Sequence, residues 1–201
     1  MMKKSTHNQI SLPFFPMGIL LLPGEKAPLR IFEPRYKQLI AECQEQSVTF
    51  GVPYIRHRQI TDMGSEVKLN KVLRIFENGE MIVVIEGISL FRILDYQKEI
   101  PGKLYGGGEV EILSPDRVVR DPGILTLAEE LGLLQDTRAE EKQKIGLLEL
   151  AGKLNMNASD KLHLIMLEEP ARKEKFITGL LLLEKTIRKQ KKTIGENVQL
   201  N

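Results

Sequence analysis

Apolar and polar positions follow two regimes along the chain. Before about residue 115 the apolar runs are short, often alternate with period two, and are broken by Gly, Pro and Asn; beyond it apolar residues recur at helical spacing. Phe14–Leu22 is apolar almost throughout, but Pro16 and Gly18 interrupt it, which predicts a bent strand and not a helix. Pro23-Gly24 marks a turn, because Pro presets φ and Gly tolerates positive φ. Leu29, Ile31 and Phe32 form a second short run that stops at Glu33-Pro34. Pro34 suits the first position of a helix, where a missing N–H costs nothing. Tyr36, Leu39, Ile40 and Cys43 then fall at i, i+3, i+4, i+7, one face of an amphipathic helix ending near Gln46.

Val48–Ile55 reads as a strand that Gly51 and Pro53 push toward an edge or a bulge. Arg56–Ser65 reads as a polar loop around Arg56-His57-Arg58. The strongest β signal spans Val67–Leu94. Asn78-Gly79 predicts a type I′ hairpin there, and Met81–Ile85, apolar on both faces, predicts a central strand. Gly87 reads as a break, with Ile88–Leu94 as a further strand and Glu109–Leu113 as the last. Five or six short, locally connected strands favour a small barrel or sandwich. Ser114-Pro115-Asp116 opens a linker that Pro122-Gly123 closes. Helices are predicted on Leu127, Leu131 and Leu134, over Glu140–Leu154, and from a Ser159 cap through Leu162, Ile165 and Met166. Pro170 ends that helix or starts the next, whose stripe is Phe176, Leu180, Leu183 and Ile187. The pattern is α+β, a β half followed by an α half.

Composition narrows the function. With 28% charged and 42% hydrophobic residues the 201-residue chain is ordinary globular material. A net charge of +2 does not call for nucleic acid or a membrane, and 5% aromatic residues without Trp make a poor stacking platform. The single Cys43 permits no intramolecular disulfide, which fits a reducing, cytoplasmic setting. Lys3-Lys4 before an apolar run imitates a secretion signal, but Pro13, Pro16 and Gly18 spoil it, and no run approaches a spanning length.

Candidate chemistry is sparse. Gly102-Lys103 and Gly106-Gly107-Gly108 lack phosphate-loop spacing and read as a Gly-rich hairpin or bulge. Cys43 sits on the helix stripe and reads as a packing thiol. His7, His57 and His163 show no metal-ligand spacing. Glu129-Glu130, Glu140-Glu141 and Glu168-Glu169 are adjacent residues on helices and do not face each other. The Arg188-Lys189-Gln190-Lys191-Lys192 cluster suits the end of a helix, where cations meet the negative dipole, better than a phosphate site. Catalysis, a cofactor and a metal are therefore not expected.

Two blocks carry a family resemblance. LPFFPMGILLLPGEKAPLRIFEPRYKQLIAEC, from Leu12, and KVLRIFENGEMIVVIEGISLFRIL, residues 71–94, resemble the Lon N-terminal substrate-binding domain in its stand-alone version. The resemblance implies a partly open β-barrel of the pseudouridine-synthase-associated (PUA-like) type over 10–115 and a helical bundle over 122–193. It does not extend to the ATPase and Ser–Lys peptidase modules of Lon proteases. It implies a non-catalytic module that grips unfolded or extended polypeptide, or docks a protease or chaperone partner, with the oligomeric state open. Arg30, Phe32, Glu33, Arg35 and Tyr36 are the substrate-binding candidates. Such charged groups among apolar ones either pin a strand–helix junction or line a groove for an extended peptide. The rival is an RNA-binding module, motivated by the barrel type, the basic tail and Arg56-His57-Arg58. A hydrolase built on Cys43 or His57 comes third.

Overall fold

The computed structural model describes residues 8–113 and 117–198, with side chains up to Lys191. Lys3-Lys4, His7, the linker residues Ser114–Asp116 and the side chain of Lys192 lie outside the described residues. Two compact units divide the chain, Met1–Pro115 and Asp116–Asn201.

The first unit holds β1 (Gln9–Pro13), β2 (Lys26–Ile31), α1 (Pro34–Gln46), β3 (Phe50–Arg56), β4 (Gln59–Ile75), β5 (Met81–Ile93) and β6 (Gly107–Ile112). The strands form one antiparallel sheet in the order β1-β6-β5-β4-β3, with β2 on β5. β5 is central, as its two apolar faces predict. The expected bent strand is mostly irregular: regular pairing stops at Pro13, and only Phe14 and Met17 make isolated parallel bridges, to Gly51 and Tyr54. Phe15 N and Met17 N donate to Gly51 O (2.8 Å) and Pro53 O (3.0 Å). Pro16 falls between these two donors, where no N–H is required. Leu20, Leu21 and Leu22 beyond it are all buried, and Leu21 N donates to the buried Ser65 Oγ at 2.8 Å.

α1 starts at Pro34 and buries Tyr36, Leu39, Ile40 and Cys43. It joins Phe15, Leu29, Ile31, Phe50, Val83 and Ile85 in the main core. Leu12, Phe14, Phe91 and Val110 make a smaller cluster. β3 ends the sheet order and is irregular between Pro53 and Ile55, as its Gly and Pro suggest.

Three expectations are corrected. Arg56–Ser65 is not a loop: Arg56 pairs with Gln59 around a two-residue turn, with His57 (φ 51°) and Arg58 (φ 65°) both left-handed. Positive φ at both central positions is the type I′ signature, so that turn sits here and not at Asn78-Gly79. At the latter only Gly79 has positive φ (72°), and Phe76 pairs with Glu80 around a three-residue loop. Gly87 does not break β5, which runs unbroken through it. A Cβ there would lie 2.3 Å from Leu22 O, so the glycine permits a close backbone approach.

The second unit carries α2 (Pro122–Glu130), α3 (Ala139–Lys142), α4 (Leu147–Gly152), α5 (Ala158–Met166) and α6 (Pro170–Val198) among the described residues. The helix expected over Glu140–Leu154 is split. Ile145 and Gly146 turn away to join 117–119, with Val119 N donating to Ile145 O (3.0 Å) and Leu147 N to Arg117 O (2.8 Å). Asn157, not Ser159, caps α5, its side chain accepting from Asp160 N. α5 buries Leu164, whereas Met166 is 77% exposed. Pro170 starts α6, whose buried positions are Ile177 and Leu181, one residue on from the expected stripe; Leu183 and Ile187 are exposed. Arg188 bonds Glu184 (2.7 Å) and Leu131 O (2.6 Å), a structural use of that cation. No helix among the described residues is long and apolar enough to cross a membrane.

Candidate functional site

Strand register determines which side chains share a face, since partners across a ladder point the same way and neighbours in sequence alternate. In the β2–β5–β4 part of the sheet the inward rows are Ala27–Ile85–Leu69, Leu29–Val83–Val72 and Ile31–Met81–Ile75. All but Ile75, at the end of its strand, are buried or packed on the core. The alternate rows, Lys26–Glu86–Lys68, Pro28–Val84–Lys71 and Arg30–Ile82–Arg74, therefore form an outer face. Every β2 and β4 member of it is exposed, and Ile82, Val84 and Glu86 are half-buried. Phe32, two residues beyond Arg30, is 57% exposed.

The charges on this face are unequally matched. Arg30 places Nε (2.9 Å) and Nη2 (2.6 Å) on Glu80 Oε2, and this hydrogen bond holds Glu80 below the ordinary carboxylate range. Glu86 takes Lys68 (3.3 Å), Lys26 (3.8 Å) and Asn70 Nδ2 (2.7 Å). Glu66 bounds the face with its oxygens on Thr49 (2.8 Å) and Ser89 (2.7 Å). The Arg74 guanidinium lies 4.6 Å over the Phe76 ring. Among the described residues Lys71 makes no ion pair or hydrogen bond through its side chain.

Side chains, more than backbone, are what this region presents. β3 stops opposite Val67, so Lys68–Ile75 have no strand beyond them among the described residues. That edge is irregular after Glu66, Leu69 and Val72. The free edge of β2 carries Pro28, which cannot donate to a new ladder.

The remaining candidates lie at the β2–α1 junction. Glu33 Oε2 accepts from Arg35 Nε (2.9 Å), with Arg35 Nη2 at 2.6 Å. The Arg35 guanidinium sits 4.6 Å over the Tyr36 ring, which stacks on Phe15 at 3.8 Å. Tyr36 is 7% exposed; burial raises its hydroxyl pKa against the lowering effect of Arg35. The five candidates thus fall into two groups: Arg30 and Phe32 belong with the outer face, while Glu33, Arg35 and Tyr36 fasten the start of the helix.

A second polar cluster was not foreseen. Glu42 accepts from Tyr105 Oη and from Lys103 Nζ (2.8 Å), and Gln38 Nε2 donates to its other oxygen (3.0 Å). Gln38 Oε1 accepts from Leu104 N at 2.9 Å, so α1 holds the Gly-rich hairpin down by three residues. Hydrogen bonds from Lys103 and Tyr105 lower the Glu42 pKa, while burial and the bond to Glu42 raise that of Tyr105. Cys43 next to it is pushed up to about 11, mainly by burial. A thiol protonated at neutral pH is a poor nucleophile and a good packing group. His57 is exposed in its turn, and His163 lies 4.9 Å from the Phe176 ring. Among the described residues no three His, Cys, Asp or Glu side chains are grouped to hold a metal ion.

Residues 11–194 match the family model of the ATP-dependent protease La (LON) substrate-binding domain. Among solved structures, the crystal structure of a Lon N-terminal domain protein from Xanthomonas campestris is similar, with 27% identity and a TM-score of 0.63. That match covers 85% of this chain and 98% of the other. The N-terminal domain of the Mycobacterium avium complex Lon protease shares the fold at 16% identity, with a TM-score of 0.55 over 86% of this chain and 98% of that one.

Proposed function

Because the chain belongs to the Lon substrate-binding domain family, we propose that it is a non-catalytic, cytoplasmic module that binds protein substrates as extended or unfolded segments. The observation that carries this reading is the outer face of β2, β5 and β4, where half-buried Ile82 and Val84 run between cationic columns, with Phe32 exposed at one end. Apolar anchors flanked by a few charges are what an extended peptide requires. Arg30 and Phe32 contact the client on this reading, and Glu33, Arg35 and Tyr36 keep the β2–α1 corner rigid behind them. The parallel bridges from Phe14 and Met17 to β3 support a partly open barrel over 10–115, and the run of helices α2 to α6 supports a helical bundle over 122–193.

A reduced, alkylated and fluorescently labelled protein serves as a permanently unfolded probe. Saturable anisotropy in the micromolar range is expected. Phe32→Ala should weaken it about fivefold or more, the loss of one exposed aromatic anchor, with its melting curve unchanged. The absence of saturable binding overturns the reading.

A further inference from the structure

We propose that the β2–β5–β4 outer face selects extended client segments that carry carboxylates and aliphatic groups on the same side of the chain. The inference rests on the polypeptide-binding reading and specifies its client.

Charge complementarity points to acidic chains. Five cations, Lys26, Arg30, Lys68, Lys71 and Arg74, share the face with the carboxylates of Glu80 and Glu86. Those two carboxylates are already engaged, by Arg30 and by Lys26, Lys68 and Asn70. Glu66 at the boundary is engaged by two hydroxyls. Among the described residues Lys71 is unmatched, and Arg74 meets an aromatic ring and no carboxylate. An incoming carboxylate therefore finds two uncommitted donors along β4, whereas an incoming ammonium finds acceptors only by breaking existing pairs.

The spacing points to an extended segment. Lys71 lies in the row of Val84 and Pro28, and Arg74 in the row of Ile82 and Arg30. Successive rows are two residues apart on β5, about 6.6–6.8 Å in a strand. An extended client repeats its side chains on one face at the same interval. One side of it can therefore set an aliphatic group on Ile82 or Val84 and, two residues on, a carboxylate that reaches sideways to Lys71 or Arg74. Nucleic acid fits less well: the Phe76 ring is covered by Arg74, leaving no paired platform for bases.

The test uses the full chain and fluorescein-labelled peptides of about ten residues, enough to cross the face. One carries Val or Ile and Glu by turns at every second position, with Ser between them so that both kinds share one side; the second replaces every Glu by Gln, and the third by Lys. At about 50 mM salt the acidic peptide should bind about tenfold more tightly than its Gln counterpart, and the Lys peptide weakest. Lys71→Glu with Arg74→Glu should reverse that order, and Lys71→Gln with Arg74→Gln should abolish it. Lys98→Glu, at an exposed loop position outside the face, should leave it intact. Equal affinity for the Glu and Gln peptides overturns acidic selection while the polypeptide-binding reading stands. No binding of any peptide, with the unfolded protein probe still retained, overturns this face as the site. A uridine oligonucleotide that displaces the acidic peptide and needs Lys71 and Arg74 more strongly overturns the assignment in favour of RNA.

Discussion

Gly87→Ala puts one methyl group into a place where the fold has no room. The added Cβ would lie 2.3 Å from Leu22 O, 3.1 Å from Leu22 C and 3.3 Å from Leu21 Cβ. Two of these are backbone atoms, which cannot rotate away. The segment is also tied on both sides, Gly24 N donating to Gly87 O and Gly87 N to Glu25 O, each at 2.9 Å. Relief of the clash requires the Leu21–Glu25 segment to move out by about 1 Å. That costs about 1–3 kcal/mol of overpacking strain and weakens at least one hydrogen bond worth about 1 kcal/mol. Alanine recovers about 0.5–1 kcal/mol through its better strand entropy. The net expected loss is about 1–3.5 kcal/mol, or about 4–14 °C in the melting midpoint of a unit this size. Circular dichroism during thermal and urea unfolding measures it. A midpoint within about 2 °C of the unmodified protein would refute the reasoning, since it would mean that the Leu21–Leu22 backbone steps aside freely.

Three further outcomes follow from the geometry. Ser65→Ala leaves the buried Leu21 N–H without its acceptor and should cost about 1–3 kcal/mol in urea unfolding; an unchanged midpoint would mean another acceptor takes over. Cys43, with its thiol near 11, should react with a disulfide reagent at pH 8 at least about two-hundredfold more slowly when folded than when unfolded. Its raised pKa adds stability that is complete below the unfolded value of about 8.5 and disappears as pH rises through about 11; rapid labelling of the native protein contradicts this. For Glu42 the sign is opposite: a lowered folded pKa gives stability that is present above the ordinary glutamate value of about 4.3 and is lost as pH falls through the lowered one. Glu42→Gln should flatten that acid limb in pH-dependent melting, and an acid limb identical to the unmodified protein would exclude the contribution.

Much of the first unit was legible because its signals are local. The α1 stripe of Tyr36, Leu39, Ile40 and Cys43 needs only helical periodicity, and the Pro34 start needs only the chemistry of its ring. Gly87 was misread because a close approach by Leu22, 65 residues earlier, cannot be distinguished in sequence from a break. The His57-Arg58 turn was missed because it uses neither Asn nor Gly, so pairing of Arg56 with Gln59 imposes left-handed angles on residues that do not advertise them. In the second unit the apolar residues are dense enough to fit more than one helical phase. Packing chose Ile177 and Leu181 over the predicted Leu183 and Ile187. The outer face was invisible for a different reason: Lys68, Lys71 and Arg74 meet Lys26, Pro28 and Arg30 only through the register of a third strand. The Arg30 and Phe32 candidates came from the apolar run beside them, without their neighbours.

Pro28 has a consequence for crowded solutions. A surface that accepts extended chains risks accepting its own kind, because one molecule's exposed strand can seed growth on the next. With no N–H to offer at the middle of β2, and with the β4 border bent out of line in three places, neighbouring copies cannot zip together into a continuous ribbon. On the proposed reading recognition is left to side chains, which distinguish one visitor from another, and self-propagating association finds no template along these two borders.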